Sequence, residues 1–457
     1  MIPIVNASFN LTQRCNLRCS YCFTNGKTDK TMSFDTAKKC VDFLIKQVVE
    51  AKDEELINHQ RAIDISFWGG EPLLEWDLLK KIVLYAEQTV PKGVRVQFGG
   101  TTNGTLLTSD KFNFLSQHRI FFMVSLDGTS ETHDKYRVRA GGKGSHKIVM
   151  KNVVQAIKKW PFYKVRISPY PERIGHFYED VKYLVDHGIH NIMFSPVYEH
   201  EWTDLHWQTW KEQCFKVVDL IAEYGKRGIN IDIEHFKSYS CSDNSKWPCG
   251  AARFYVGFDC DGSIWPCHRF IKFTDSRPWQ EKEMCIGHVD IGITKLELRQ
   301  QFIDFKPECG DCKYASCTPC HGGCYGVNFD LTGKINIPYP GLCKYVAMQH
   351  EVSLYLKEKV GEDISKEGKS CICNNMCYLE GTKDEIVNVN NSGIQCHCYN
   401  TNYTGDPDTA KVARPLRHVN INPLDVLRRV ESMELQMKTY ESKLDEIIKL
   451  LKRTNAD

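Results

Sequence analysis

Between residues 3 and 230 the chain alternates two kinds of hydrophobic pattern. Short β-rich runs ("IVNASFNL", "AIDISFW", "VRVQFGG", "IFFMVSL", "KVRIS" and "NIMFSPV") are separated by amphipathic stretches at 34–50, 75–90, 109–117, 146–159, 176–187 and 205–227. Strands that alternate with helices of this length build βαβ units and a parallel sheet. Six such units predict an α/β fold, an open or partial (β/α)6 barrel over 1–235. Ligands of such sheets sit at the carboxyl ends of the strands.

Beyond the barrel, cysteines replace hydrophobic period as the organising feature over 236–360. Residues 361–422 open on the polar "GEDISKEGKS", contain Pro and Gly, and show no period, which predicts a flexible segment. In 423–457, Val426, Val430, Met433, Met437, Tyr440, Leu444, Ile447 and Leu451 recur at alternating spacings of four and three. That heptad seam predicts either a homodimer through 426–451 or a helix packed back on its own domain.

Composition narrows the class. Lys plus Arg is 59 and Asp plus Glu is 57, a formal net charge of +2, so no basic surplus points to nucleic acid. No apolar run reaches the roughly 18 residues of a membrane helix. The start, "MIPIVNASFN", lacks a signal-peptide pattern, and a reducing cytoplasm is the expected location. In that setting 21 cysteines point to metal or catalytic thiolates, not disulfides. Cys40 and Cys214 stand apart inside helical patterns and read as small buried hydrophobes.

Cys15, Cys19 and Cys22 follow the first strand as C-x3-C-x2-C. Soft thiolates select zinc, copper(I) or iron–sulfur clusters. A structural zinc site wants four closed ligands, so three thiolates suit a [4Fe–4S] cluster with one iron open to a small molecule; zinc with a distant fourth ligand is the alternative. "FWGGEP" follows the second strand and supplies Gly69, Gly70 and the carboxylate of Glu71. "TTNGT" ends the third strand and "SLDG" the fourth, which places all of these on one rim.

These motifs resemble the radical S-adenosylmethionine (SAM) superfamily over about residues 1–230. The resemblance implies that Cys15, Cys19 and Cys22 hold the cluster and that its open iron binds the amine and carboxylate of SAM. Gly69, Gly70 and Glu71 would contact the amino end, and Asn103 and Ser125 would lie near the ribose. Arg137, in "HDKYR", is a further carry-over or a surface arginine. The implied chemistry is reductive cleavage of SAM to a 5′-deoxyadenosyl radical that abstracts a hydrogen from the substrate.

The second cysteine group resembles a SPASM domain. Cys249, Gly262 and Cys267 form C-x12-G-x4-C, and "CGDCKYASCTPCHGGC" supplies Cys309, Cys312, Cys320 and Cys324 before Cys343. The resemblance implies two auxiliary [4Fe–4S] clusters, three clusters in all. Cys241, Cys249, Cys267 and Cys324 would hold the first, and Cys309, Cys312, Cys320 and Cys343 the second. The interval from Cys312 to Cys320 is longer than is usual for the family, and Cys317 inside it is an alternative to Cys320. A zinc ribbon is the alternative for the whole region. Cys260 and Cys285 have no assigned place.

Most such enzymes act on peptides or proteins. The leading expectation is a maturase of ribosomally made peptides that installs a thioether or another cross-link, with a precursor peptide as substrate and a flavodoxin or ferredoxin as reductant. The runner-up is an anaerobic sulfatase maturase that forms formylglycine from Cys or Ser. Those maturases carry a basic Asp after the cysteine equivalent to Cys267, where this chain has His268, itself a candidate acid or base. The sequence begins at the barrel, so a separate leader-binding protein, or the tail, is expected to recognise the leader. A non-enzymatic electron carrier would not need "GGEP". Cys371, Cys373, Cys377, Cys396 and Cys398 are open to three readings: a small metal site, free thiols, or a fused substrate segment.

Overall fold

The computed structural model describes residues 2–24, 26–56, 61–160, 163–238, 249–312, 320 and 322–361. The sequence-predicted strands become β1 (Asn6–Thr12), β2 (Ala62–Gly69), β3 (Arg95–Thr102), β4 (Phe121–Ser125), β5 (Lys164–Ile167) and β6 (Asn191–Phe194), followed by the short β7 (Asp232–Ile233). Each pairs in parallel with the next, so the (β/α)6 partial barrel is present. The strands alternate: Ile63, Ile65 and Phe67 of β2 are buried against the outer helices, while Asp64 and Ser66 point the other way.

The helices between them are α1 (Phe34–Glu50), α2 (Trp76–Thr89), α3 (Ser109–Gln117), α4 (Ser130–Tyr136), α5 (His146–Lys159), α6 (Phe177–Asp186) and α7 (Asp204–Lys226). In α1, Ser33 caps the first turn by accepting the Thr36 N–H at 3.0 Å, and Ala37, Cys40, Val41, Leu44 and Val48 form one buried stripe. Cys40 is thus a core residue, as is Cys214 on α7.

The sheet does not stop at the barrel. β8 (Tyr255–Phe258) pairs in parallel with the free edge of β1. β9 (Ser263–Trp265), β10 (Gly287–His288) and β11 (Gly292–Ile293) then continue it antiparallel, giving eleven strands among the described residues. The helix Pro340–Val360 returns to α7, where Tyr345 stacks on Trp210 at 5.5 Å and Lys211 pairs with Glu351 at 2.9 Å. No helix among the described residues is long and apolar enough to cross a membrane. The heptad seam at 426–451 and the five cysteines from Cys371 to Cys398 lie outside the described residues.

Candidate functional site

The loop after β1 carries Cys15, Cys19 and Cys22, and it is clamped to the turn after β2. Gly70 N–H donates to the Thr12 carbonyl at 2.7 Å and Glu71 N–H to the Arg14 carbonyl at 2.9 Å. A Cβ on Gly70 would lie 2.0 Å from the Arg14 oxygen, and one on Gly69 would lie 2.3 Å from the Thr12 oxygen. Gly69 also has φ +143°, a region that L side chains rarely adopt. These glycines therefore permit close approach of the two loops.

Glu71 is fully buried, and its carboxylate accepts from Leu73 N–H (3.0 Å), Thr102 Oγ1 (2.7 Å) and Asn103 N–H (2.7 Å). Burial pushes its pKa up, against the pull of those donors. It binds the β2 turn to the end of β3. Asn103 Nδ2 in turn donates to Asn16 Oδ1 at 2.8 Å and lies 3.9 Å from Cys15 Sγ. The ends of β1, β2 and β3 form one hydrogen-bonded assembly around the cysteine loop.

Ser125 ends β4 and is buried. Arg137 is not on the surface. It is buried, with Nε on Asp127 Oδ2 at 2.6 Å and a terminal nitrogen on Ser168 Oγ at 3.0 Å. Tyr21, inside the cysteine loop, donates to the same Asp127 oxygen at 2.5 Å, and the Arg137 guanidinium lies 5.2 Å from its ring. Asp127 thus ties the cysteine loop to β4 and β5. "SLDG" and "HDKYR" each contain half of this pair, but sequence spacing does not show that they meet.

The thiols are grouped. Burial, with smaller contributions from Glu71 and Cys19, pushes Cys15 up to about 11. Burial also raises Cys19, with the neighbouring Cys22 adding and Arg137 opposing. Cys22 behaves differently: burial raises it, but the charge of Lys27 and hydrogen bonds from Lys27 (3.0 Å) and Thr24 leave it below the ordinary thiol value. Lys27, five residues on from Cys22, is a site residue that motif reading missed.

A second group joins Cys249, Cys267 and Cys324. Burial and then Cys324 push Cys249 up to about 11, and burial with Cys324 and Cys249 raises Cys267. In a third, burial and then Cys320, Cys312 and Cys309 push Cys343 up to about 11. Cys241 and Cys317 lie outside the described residues. Cys260 and Cys285 are buried and make S–H contacts to backbone carbonyls, Asn10 at 3.2 Å and Gly287 at 3.4 Å respectively. Among the described residues no three His, Cys, Asp or Glu side chains converge closely enough to hold a single metal ion as they stand.

His268 follows Cys267 and faces the barrel. Its ring meets Trp68 edge-on at 5.2 Å, and its Nδ1 shares a 2.6 Å hydrogen bond with Tyr255 Oη, which also bonds Ser8 Oγ of β1. Burial first, then the charges of Arg166 and Arg269, push its pKa down to about 3, so the ring is neutral. Tyr255 lies on β8, too short a strand for alternation to expose in sequence.

The model of the radical SAM superfamily matches residues 9–184. An uncharacterized protein of Methanocaldococcus jannaschii is 32% identical over 187 residues, 40% of this chain and 60% of that protein. A cysteine-type anaerobic sulfatase-maturating enzyme of Clostridium novyi is 24% identical over 68% of this chain and 85% of its own length. Among solved structures, anSMEcpe with bound AdoMet and the Cp18Cys peptide superposes with a TM-score of 0.60 at 17% identity, covering 80% of this chain and 99% of that one. Streptococcus suis SuiB bound to precursor peptide SuiA gives 0.51 at 17% identity, over 75% and 76%. At these identities the structural likeness is one of fold. Joined to the sequence matches, it supports a radical SAM domain over residues 9–184 in a chain similar to anaerobic sulfatase-maturating enzymes.

Proposed function

We propose that this chain is a SPASM-type maturase that abstracts a hydrogen atom from a side chain of a ribosomally made peptide and installs a thioether or another cross-link. The observation that carries the reading is the clamp between the Cys15–Cys22 loop and the Gly69–Glu71 turn, with two further thiol groups beyond the barrel. Each group is made of thiols near enough to sense one another's charge, and soft thiolates are the ligands that iron–sulfur clusters take.

Cys15, Cys19 and Cys22 would hold the SAM-binding cluster. Cys249, Cys267 and Cys324 with Cys241, and Cys309, Cys312, Cys320 and Cys343, would hold the auxiliary pair. When bound, the first cluster and SAM supply a one-electron reductive cleavage that ends in hydrogen abstraction. The chain's own residues prepare the place for it. Lys27 favours the thiolate form of Cys22. Glu71 acts through the turn it braces, leaving the Gly69 and Gly70 backbone, Asn103 and Ser125 to meet SAM. Trp68, Phe23 and Tyr255 enclose His268 and limit water around it. A flavodoxin- or ferredoxin-type reductant and a separate leader-binding protein are the partners this reading implies. Relatives and neighbours whose names include sulfatase maturation or a bound peptide support a peptide substrate.

The sulfatase-maturase reading has specific support in the Clostridium novyi relative, but burial and the charges of Arg166 and Arg269 push the pKa of His268 down to about 3, which makes its ring a weak base. Anaerobic incubation with SAM, a low-potential reductant and a cysteine-containing sulfatase-type peptide separates the two. The proposal expects no formylglycine from wild type or from His268→Asp. Formylglycine, seen as loss of sulfur and capture of an aldehyde, selects the second reading.

A further inference from the structure

Four cations of the barrel wall and its mouth lie near the proposed reaction chamber. Three have carboxylate partners: Arg137 with Asp127, Lys164 with Glu234 at 2.8 Å, and Arg269 with Glu199 and Asp330. Arg166 has none among the described residues, and its Nε is shielded from solvent without a hydrogen-bond partner. It stands on β5, where Val165 and Ile167 are buried against the outer helices, so alternation turns Arg166 to the barrel side. Its register partners are Ser125 on β4 and Met193 on β6. The charges of Arg137 and Arg269 lie close enough to add to burial in pushing its pKa down, and its own charge reaches His268 and His235. A guanidinium beside two other cations, partly stripped of water and with no carboxylate partner among the described residues, is electrostatically incomplete.

We propose that Arg166 is a carboxylate-recognition site for the substrate: an acidic side chain or a C-terminal carboxylate of the peptide enters the barrel and pairs with the guanidinium beside the SAM position marked by Ser125. This rests on the reading that a peptide enters the barrel. The planar fork of Arg166 suits two-point recognition of a carboxylate and places an acidic residue near the abstracted hydrogen. It makes the enzyme selective for peptides with an acidic or terminal residue close to the modified position.

The test is equilibrium binding to the reconstituted full-length protein saturated with SAM, so that the methionyl carboxylate site is filled. The probes are N-acetylglutamate N-methylamide, the matching glutamine compound, and N-acetylalanine for a terminal carboxylate. Wild type should prefer at least one carboxylate probe over the glutamine probe by about tenfold, and Arg166→Gln should abolish that preference while SAM affinity holds within about twofold. The glutamate probe and N-acetylalanine distinguish a side-chain source from a terminal one. Arg166→Lys keeps the charge and should retain a weaker preference, which decides the matter if Arg166→Gln fails to fold. Absence of preference in wild type, or its persistence in Arg166→Gln, overturns the proposal. So does a tenfold loss of SAM affinity in Arg166→Gln without a probe effect, which would give Arg166 to SAM. The readout needs no turnover, so a protein that bound the probes but formed no 5′-deoxyadenosine would count against the proposed function and not against this site.

Discussion

Glu71 Oε2 accepts the backbone N–H of Asn103 at 2.7 Å, and this bond joins the glycine turn of β2 to the end of β3. The other oxygen is held by Leu73 N–H and Thr102 Oγ1. Glu71→Ala strands buried donors whose desolvation costs about 1–3 kcal/mol each. The expected loss is about 2–5 kcal/mol of stability in denaturant titration, with weakened SAM binding. Glu71→Gln keeps one acceptor oxygen and should fall between wild type and Ala.

Gly70→Ala is expected to break the clamp, because its Cβ would meet the Arg14 carbonyl oxygen at 2.0 Å. The cysteine loop then shifts while the thiols beyond the barrel do not. Iron content should drop by about four atoms per chain, the content of one cubane, with the remaining iron unchanged. Loss of all iron would point to global misfolding instead.

Asp127 and Arg137 are both buried and paired at 2.6 Å. Arg137→Met leaves the carboxylate without its cation, and breaking a buried pair from one side costs about 3–5 kcal/mol. The Asp127→Asn, Arg137→Met double variant should recover part of that loss. A double-mutant cycle with no coupling would contradict the pairing.

Lys27→Met removes the charge 3.0 Å from Cys22 Sγ. Burial then acts on that thiol with less opposition, and its pKa should rise from below the ordinary value to above it. In the anaerobic apoprotein, the pH at which Cys22 reaches half-maximal alkylation should move upward. An unchanged profile would show that Thr24 alone sets the shift.

Much of the barrel was legible in the chain. "AIDISFW" and "NIMFSPV" mark β2 and β6 because their outward residues pack against amphipathic helices whose periods are equally plain. The strands β8 to β11 are two to four residues long, too short for alternation to register, so the extension of the sheet past β1 was not visible. Within the site, residue type and rim position pointed to the cysteines and to Gly69–Glu71. The partners that fix them did not show: Asp127 under Arg137, Thr102 on Glu71 and Tyr255 on His268 are long-range contacts that only folding creates. Arg166 escaped notice because its signature is a missing partner, and a sequence does not display one.

The Cys15–Cys22 loop is expected to support reductive cleavage of SAM. The most direct measurement counts 5′-deoxyadenosine formed by the anaerobically reconstituted protein with SAM and dithionite, beside a variant in which Cys15, Cys19 and Cys22 are all Ala. Wild type should form 5′-deoxyadenosine and methionine in equal amounts, and the variant none, with iron falling by about four from about twelve per chain. A triple variant that makes 5′-deoxyadenosine at the wild-type rate would show that this loop does not hold the SAM-cleaving cluster.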